Sequence, residues 1–157
     1  MDATNILKEQ HDEVRQLFER YEKIEDGDRE ARLELFGEIR KKLEIHAQIE
    51  EEIFYPPLRR ARRQEARQDV AEAYEEHSLI KTVLRDLSSV DPESETQFEA
   101  MMKVLRENVE HHADEEEDEL FHDARKVFSK EQLEQYGEWL DMRTRELEET
   151  YASAVVR

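Results

Sequence analysis

The chain has 157 residues, enough for one hydrophobic core, and 42% of them are charged, with only 3 Gly, 3 Pro and no Cys. That composition leaves little material for sheets or long loops and suits helix, so the expected class is all-α. A net charge of −18 argues against a nucleic-acid backbone or an anionic membrane surface as partner, and the lack of cysteine excludes disulfides, zinc ribbons, cysteine-ligated iron–sulfur clusters and thiolate-ligated haem.

Four helical stripes follow in chain order, each stepping by three or four residues. The first is Leu7, His11, Val14, Phe18, Tyr21, and it ends before Asp26-Gly27-Asp28. The second is Phe36, Ile39, Leu43, His46, Glu50, Ile53; Pro56-Pro57 should bend or end it, with a short continuation to about Arg63. The basic run Arg59-Arg60-Ala61-Arg62-Arg63 then reads as cations complementing a helix C-terminus. The third stripe is Val70, Ala73, His77, Ile80, Leu84, Leu87, closed by Ser88-Ser89-Val90-Asp91-Pro92. The fourth is Phe98, Met102, Leu105, Val109, His112, Glu116, Leu120, opened by a capping box at Ser94 and Gln97. A second box, Ser129 with Gln132, predicts an additional helix over about 130–150, packed outside, with a frayed tail from Ala152. Short connections predict one domain over 1–157, an antiparallel up-down-up-down four-helix bundle (about 3–127) plus that C-terminal helix. No secretory signal or membrane-spanning run is visible, so a cytoplasmic protein is expected.

The polar residues on these stripes repeat. His11, His46 and Glu50 recur 66 residues later as His77, His112 and Glu116, all at positions the helical period assigns to the interior. A buried carboxylate is costly unless it is paired or bound to a cation, and the only candidate cation on the stripes opposite Glu50 and Glu116 is a histidinium. Lys81 falls off the third stripe. Metal ligation by His11, His46, Glu50, His77, His112 and Glu116 satisfies all six together. Of the neighbours, His111 points about 100° away from His112. His122 lies beyond the site, and the acidic run Asp114 to Glu119, apart from Glu116, reads as a solvated face. Imidazole with carboxylate suits iron, zinc or manganese, and six ligands exceed one tetrahedral zinc. Two octahedral ions offer about twelve positions; four imidazoles, two bridging carboxylates and one bridging oxo or hydroxo ligand leave about two open for a small ligand.

These residues resemble the hemerythrin-like, or HHE cation-binding, domains. The resemblance rests on Glu9-Gln10-His11, on His46 to Glu51 followed by Ile53-Phe54-Tyr55-Pro56, on Glu75-Glu76-His77, and on His112 to Glu117 followed by Leu120-Phe121. It implies a non-haem di-iron site bridged by Glu50 and Glu116. Oxygen-carrying members have a fifth histidine one turn from the third-helix ligand, where this chain has Ala73 and Lys81. The more open site favours reaction with O2, NO or hydrogen peroxide, peroxide disproportionation above all, over O2 transport. A metal-dependent sensor or iron-binding interaction protein without turnover is the alternative. No catalytic residue beyond the ligands is identified, although Tyr21, Tyr55 or Tyr74 could lie near the site. The ferritin-like spacing Glu-x-x-His occurs only at Glu119 and His122, which argues against that class. The expected partners are a small diatomic or peroxide ligand, with no nucleic acid and no membrane. The oligomeric state is left open by exposed or core-capping apolar residues such as Phe54, Phe121 and Trp139.

Overall fold

The computed structural model describes residues 1–91 and 93–156, the last two as backbone only. Pro92, expected to help close the third helix, and Arg157, at the end of the tail, lie outside the described residues. Among the described residues the chain is all-helical. Five long helices, α1 (Ala3–Glu22), α2 (Arg29–Ile49), α4 (Gln64–Ser89), α5 (Glu95–Glu115) and α7 (Lys130–Val156), are joined by short α3 (Tyr55–Arg59) and α6 (Phe121–Val127).

Local chemistry sets most helix ends. Asp2 and Asp28 cap α1 and α2, their carboxylates accepting from Asn5 N at 3.0 Å and Ala31 N at 3.2 Å. Gly27 takes φ +88° in the turn between those helices, a conformation glycine adopts without steric cost. The box at Ser129 forms in full: Gln132 N donates to the hydroxyl at 3.1 Å, and Ser129 N donates to Gln132 Oε1 at 2.8 Å. Ser94 occupies the N-cap of α5 with ψ 66° and makes no side-chain bond there, so the expected box with Gln97 does not close.

Two expectations about helix extent change. Pro56 and Pro57 do not break α2, because a π-helical turn (Glu50–Phe54) carries the chain into α3 and places both prolines in its first positions, where their missing donors cost little. The helix then stops at Arg59, short of Arg63. The tail is helical through Val156 instead of frayed from Ala152; Tyr151 anchors this last turn by donating to Glu44 Oε2 at 2.5 Å.

Two apolar clusters fill the bundle. One contains Val14, Phe18, Phe36, Ile39, Leu84, Phe98 and Leu105, and the other contains Leu7, Ile49, Phe54, Leu58, Val70, Leu120 and Phe121. The six candidate ligands form a polar layer between them. Leu133, Leu140 and Leu147 of α7 join the second cluster over Ala3, Ile6, Ile45 and Ile49. Sixty-six residues on, those four positions are Asp69, Glu72, His111 and Glu115. The repeat therefore has one apolar face, which α7 covers, and one charged face, which it leaves open.

Gly137 lets α7 approach. A Cβ there would run into the Met1 carbonyl and stand 2.9 Å from Asp2 C and 3.0 Å from Ala3 N, all backbone. In an open helix Gly→Ala would stabilise by about 1 kcal/mol. Here we expect Gly137→Ala to destabilise by about 1–3 kcal/mol, read as a fall in melting temperature. A rise would mean that α7 sits farther from the N-terminus.

Asp69 of α4 faces buried Asp123 of α6, and Arg63 reaches Asp123 at 3.0 Å. Burial and the adjoining Asp123 carboxylate raise Asp69 from 3.8 to about 7, while Asp123 is held low despite its burial by Asp69 and Arg63. The folded state thus keeps a proton that the unfolded chain has already lost. Stability should fall as pH rises from about 4 to about 7 through this pair. Asp69→Asn should flatten that part of the profile, measured by urea unfolding across the range; an unchanged slope would refute it.

Candidate metal centre

The six candidate ligands come from four helices and meet at one level. All are buried: His11 5%, His46 7%, Glu50 0%, His77 3%, His112 4% and Glu116 2% exposed. Their rings pair across the bundle, His11 with His46 (centroids 4.8 Å) and His77 with His112 (4.7 Å). Each glutamate spans the two pairs. Glu50 Oε1 lies 3.2 Å from His46 Nε2 and 3.1 Å from His77 Nε2, and Glu116 Oε1 lies 3.1 Å from both His11 Nε2 and His112 Nε2.

Both glutamates open π-helical turns, Glu50–Phe54 and Glu116–Leu120, in which Tyr55 N and Phe121 N bond to their carbonyls. Such a turn inserts one extra residue and commonly marks a functional site. It rotates the following stripe, so Phe54 and Tyr55 are fully buried where the period predicted Ile53. The turns themselves repeat at the 66-residue offset, as do Tyr55 and Phe121 behind them. Phe121 stacks on His11 (5.8 Å, 5°) and Tyr55 lies against His77 (5.2 Å, 33°).

Outer partners orient the imidazoles. His11 Nδ1 donates to Glu117 (2.9 Å), His46 Nδ1 to Gln10 (2.7 Å), His77 Nδ1 to Glu51 (3.0 Å) and His112 Nδ1 to Glu76 (2.7 Å). These acceptor oxygens place the proton on Nδ1 and aim the Nε2 lone pair inward, as a metal ligand requires. Arg15 and Lys81 hold Glu117 and Glu51 in turn, each at 2.8 Å. Glu117 was expected on a solvated face; it lies in the π turn after α5, only 19% exposed, with Oε2 2.9 Å from His11 Nδ1. The signal that reveals these four outer residues is the repeat itself, since Gln10 matches Glu76 and Glu51 matches Glu117.

The electrostatics call for positive charge in this layer. Burial disfavours the His11 imidazolium, but Glu116 and Glu117 outweigh it and raise the group to about 9. His77 and His112 are likewise raised against their burial, chiefly by Glu50 and by Glu116, and Glu116 is held well below its ordinary range by His112 and His11. Glu51 is lowered to about 2, first by His77, and Glu117 to about 2 by His11 and Arg15 against its burial. Protons can supply that charge, and so can a metal that displaces them.

The donor set fits metal. Two donors at right angles on an ion about 2.1 Å away stand about 3.0 Å apart, close to the spacings above. Hydrogen bonds have similar lengths, so the orphaned atoms decide. His46 Nε2 and Glu50 Oε2 are buried without a hydrogen-bond partner, a cost that a cation removes. Ligand atoms of His11, His46, Glu50 and Glu116 lie within 4.8 Å of one another, as do those of Glu50, His77 and His112. His111 and His122 are exposed, as expected.

Of the three tyrosines, only Tyr55 enters the site. Its hydroxyl donates to Glu116 Oε2 at 2.6 Å and lies 3.2 Å from His77 Nε2. Tyr74 packs behind the Tyr55 ring, and Tyr21 bonds to Glu99 in the other half of the bundle.

No helix among the described residues is long and apolar enough to cross a membrane. Comparison with known proteins agrees with the geometry. Over 137 residues the chain is 32% identical to a DNA nickase of Nostoc sp.; the match takes in 87% of this chain but only 37% of that protein's length. The crystal structure of a hemerythrin HHE cation binding domain-containing protein from Mycobacterium kansasii aligns with a TM-score of 0.82, covering 96% of this chain and 89% of that one at 26% identity. The hemerythrin HHE cation binding domain matches residues 2–124, which leaves α7 outside it. With buried His/Glu clusters inside a bundle of this kind, the chain belongs to the hemerythrin HHE cation-binding domain family.

Proposed function

We propose that His11, His46, Glu50, His77, His112 and Glu116 hold two iron ions, and that the chain reacts with a small oxidant, hydrogen peroxide before O2 or NO. The observation that carries this reading is a cavity of about 40 Å³ against the four histidines. Gln10, Arg15, Glu44, Ala47, Lys81, Glu110 and Ala113 also line it, and its larger apolar walls are Val14, Phe18, Leu43, Ile80, Leu84 and Val109. These are three repeat-related pairs, so the cavity straddles the internal two-fold and faces both histidine pairs alike. A water needs roughly 10–15 Å³ on this measure, so the space suits a molecule of two heavy atoms.

Two iron ions held by the six ligands would supply a two-electron store through which one peroxide is oxidised to O2 and a second is reduced to water. The chain's own residues do the rest. The four outer acceptors hold one proton on each Nδ1 and point each Nε2 inward, where a metal can displace the other. The apolar walls exclude bulk water and larger reductants. Tyr55 lies in the opposite apolar cluster and does not line the cavity; its phenol holds a proton 2.6 Å from Glu116 Oε2, where it can be lent across that carboxylate to oxygen held in the ligand layer. Ala73, one of the two positions a turn from His77 that could have carried a fifth histidine, packs in the same cluster as Tyr55.

The test is iron per chain and the visible spectrum, before and after peroxide. We expect two irons, an absorption that responds, and loss of peroxide with O2 release. An iron-loaded sample that neither consumes peroxide nor changes spectrum with peroxide, O2 or NO would sink the reading.

A metal-dependent sensor without turnover is the second reading. It is favoured by the Nostoc relative, in which the matched region is just over a third of a longer chain. Strong stabilisation by iron with no peroxide consumption would select it. DNA nicking belongs to that relative, and with a net charge of −18 no nucleic-acid partner is proposed here.

A further inference from the structure

The outer hydrogen bonds obey the repeat with one exception. His11–Glu117–Arg15 is matched by His77–Glu51–Lys81, residue for residue at the 66-residue offset. His46 and His112 should also have like partners, but one donates to the Gln10 amide and the other to the Glu76 carboxylate. The only carboxylate bonded directly to the His11/His46 rings from the outside is thus Glu117, held by Arg15, which also binds Asp12 and Asp114. Around His77/His112, Glu51 and Lys81 balance and Glu76 adds a full negative charge, 2.7 Å from His112 Nδ1. The exposed His111 ring stands farther off, 3.6 Å from the other Glu76 oxygen.

Helix α7 accounts for the exception. Thr144 donates its hydroxyl proton to Leu140 O at 2.7 Å, so its oxygen turns lone pairs toward position 10. Gln10 Nε2 donates to that oxygen at 3.1 Å, leaving Oε1 for His46. A carboxylate at position 10 would meet those lone pairs with no proton to give. Glu76 lies on the face that α7 leaves open, where the exposed His111 ring and the Glu115 carboxylate come within 4.8 Å of it.

We propose that Gln10 and Glu76 are positioning residues that make the two metal positions unequal. The His77/His112 position takes the first ion and holds it more tightly. The inference rests on the two-ion reading above. An imidazole that donates to a carboxylate is a stronger donor to metal than one that donates to a neutral amide, and outer partners of this kind alter affinity by about 10–100-fold.

The test is anaerobic calorimetric titration of the metal-free full chain with ferrous iron. The wild type should bind one ion in each of two steps, with dissociation constants about 10–100-fold apart. Glu76→Gln should narrow the gap by weakening the first step. The double variant Gln10→Glu with Glu76→Gln keeps the carboxylate count and should reverse the order, provided that circular dichroism shows it folded. Mössbauer spectra with 57Fe added as the first equivalent and 56Fe as the second, compared between wild type and Glu76→Gln, show whether the position filled first is the one beside Glu76, a readout independent of turnover. Two equal steps in the wild type, or a gap unchanged in Glu76→Gln, would overturn the proposal while leaving the two-iron reading standing. Binding of one ion or none would remove both.

Discussion

Glu50→Gln should leave the chain folded and cost it most of its affinity for metal. Glu50 is the least exposed of the six candidate ligands, and its Oε1 touches one histidine of each pair. In the metal-free protein two changes oppose each other. The variant loses part of the contact with His77 Nε2, but it also loses a buried carboxylate oxygen that has no partner. The net change should stay within about 1 kcal/mol. With metal the balance tips one way, because the amide is a far poorer bridge. A ligand at 100 times its dissociation constant stabilises by about 2.7 kcal/mol, or roughly 5–10 °C for a chain of this size. The wild type should therefore melt higher when iron is added, and the variant should gain little. Melting curves of both proteins with and without ferrous iron decide it. A variant that gains as much as the wild type would show that Glu50 is no ligand.

That dependence on metal says why such a layer persists between two apolar clusters. Replaced by apolar residues, the six positions would join the clusters into one core. As they stand, they hold two carboxylates that require cations from protons or from metal. The bundle is thus arranged around a charge it does not itself contain, and its stability is linked to whatever supplies it.

The candidate ligands were legible because chemistry and periodicity coincide in them. Each of the six lies on an apolar stripe, and the 66-residue repeat removes chance. Other features obeyed forces that no stripe carries. A π turn costs one residue of register, so Ile53 was expected inside where the chain buries Phe54 and Tyr55. Glu117 looked like part of a solvated acidic run, since its partners His11 and Arg15 are on another helix. The end of α3 depends on how Pro56 and Pro57 meet the turn before them, and the end of α7 depends on Tyr151 finding Glu44, 107 residues away. Local rules placed the helices; long-range side-chain bonds set the outer shell and several ends.

Tyr55→Phe should retain both irons and slow peroxide disproportionation by about 100-fold or more. The repeat makes phenylalanine a natural substitute, since Phe121 fills the equivalent space against His11. What changes is one hydroxyl, bonded to Glu116 Oε2 at 2.6 Å and 3.2 Å from His77 Nε2. Burial, followed by the charges of Glu116 and Glu50, pushes the Tyr55 phenol well above its usual value, so it holds its proton. A bound cation opposes that push, bringing the proton within reach of transfer. Iron content, visible spectrum and the pH profile of peroxide consumption separate the ways the hydroxyl can act. Loss of a visible band in the variant would mean that the phenol oxygen binds metal. An unchanged spectrum with a slower rate and an altered pH profile would mean that it acts through its proton. A variant with wild-type rate, spectrum and profile would show that Tyr55 only fills space, and the asymmetry between Tyr55 and Phe121 would then have no part in the chemistry.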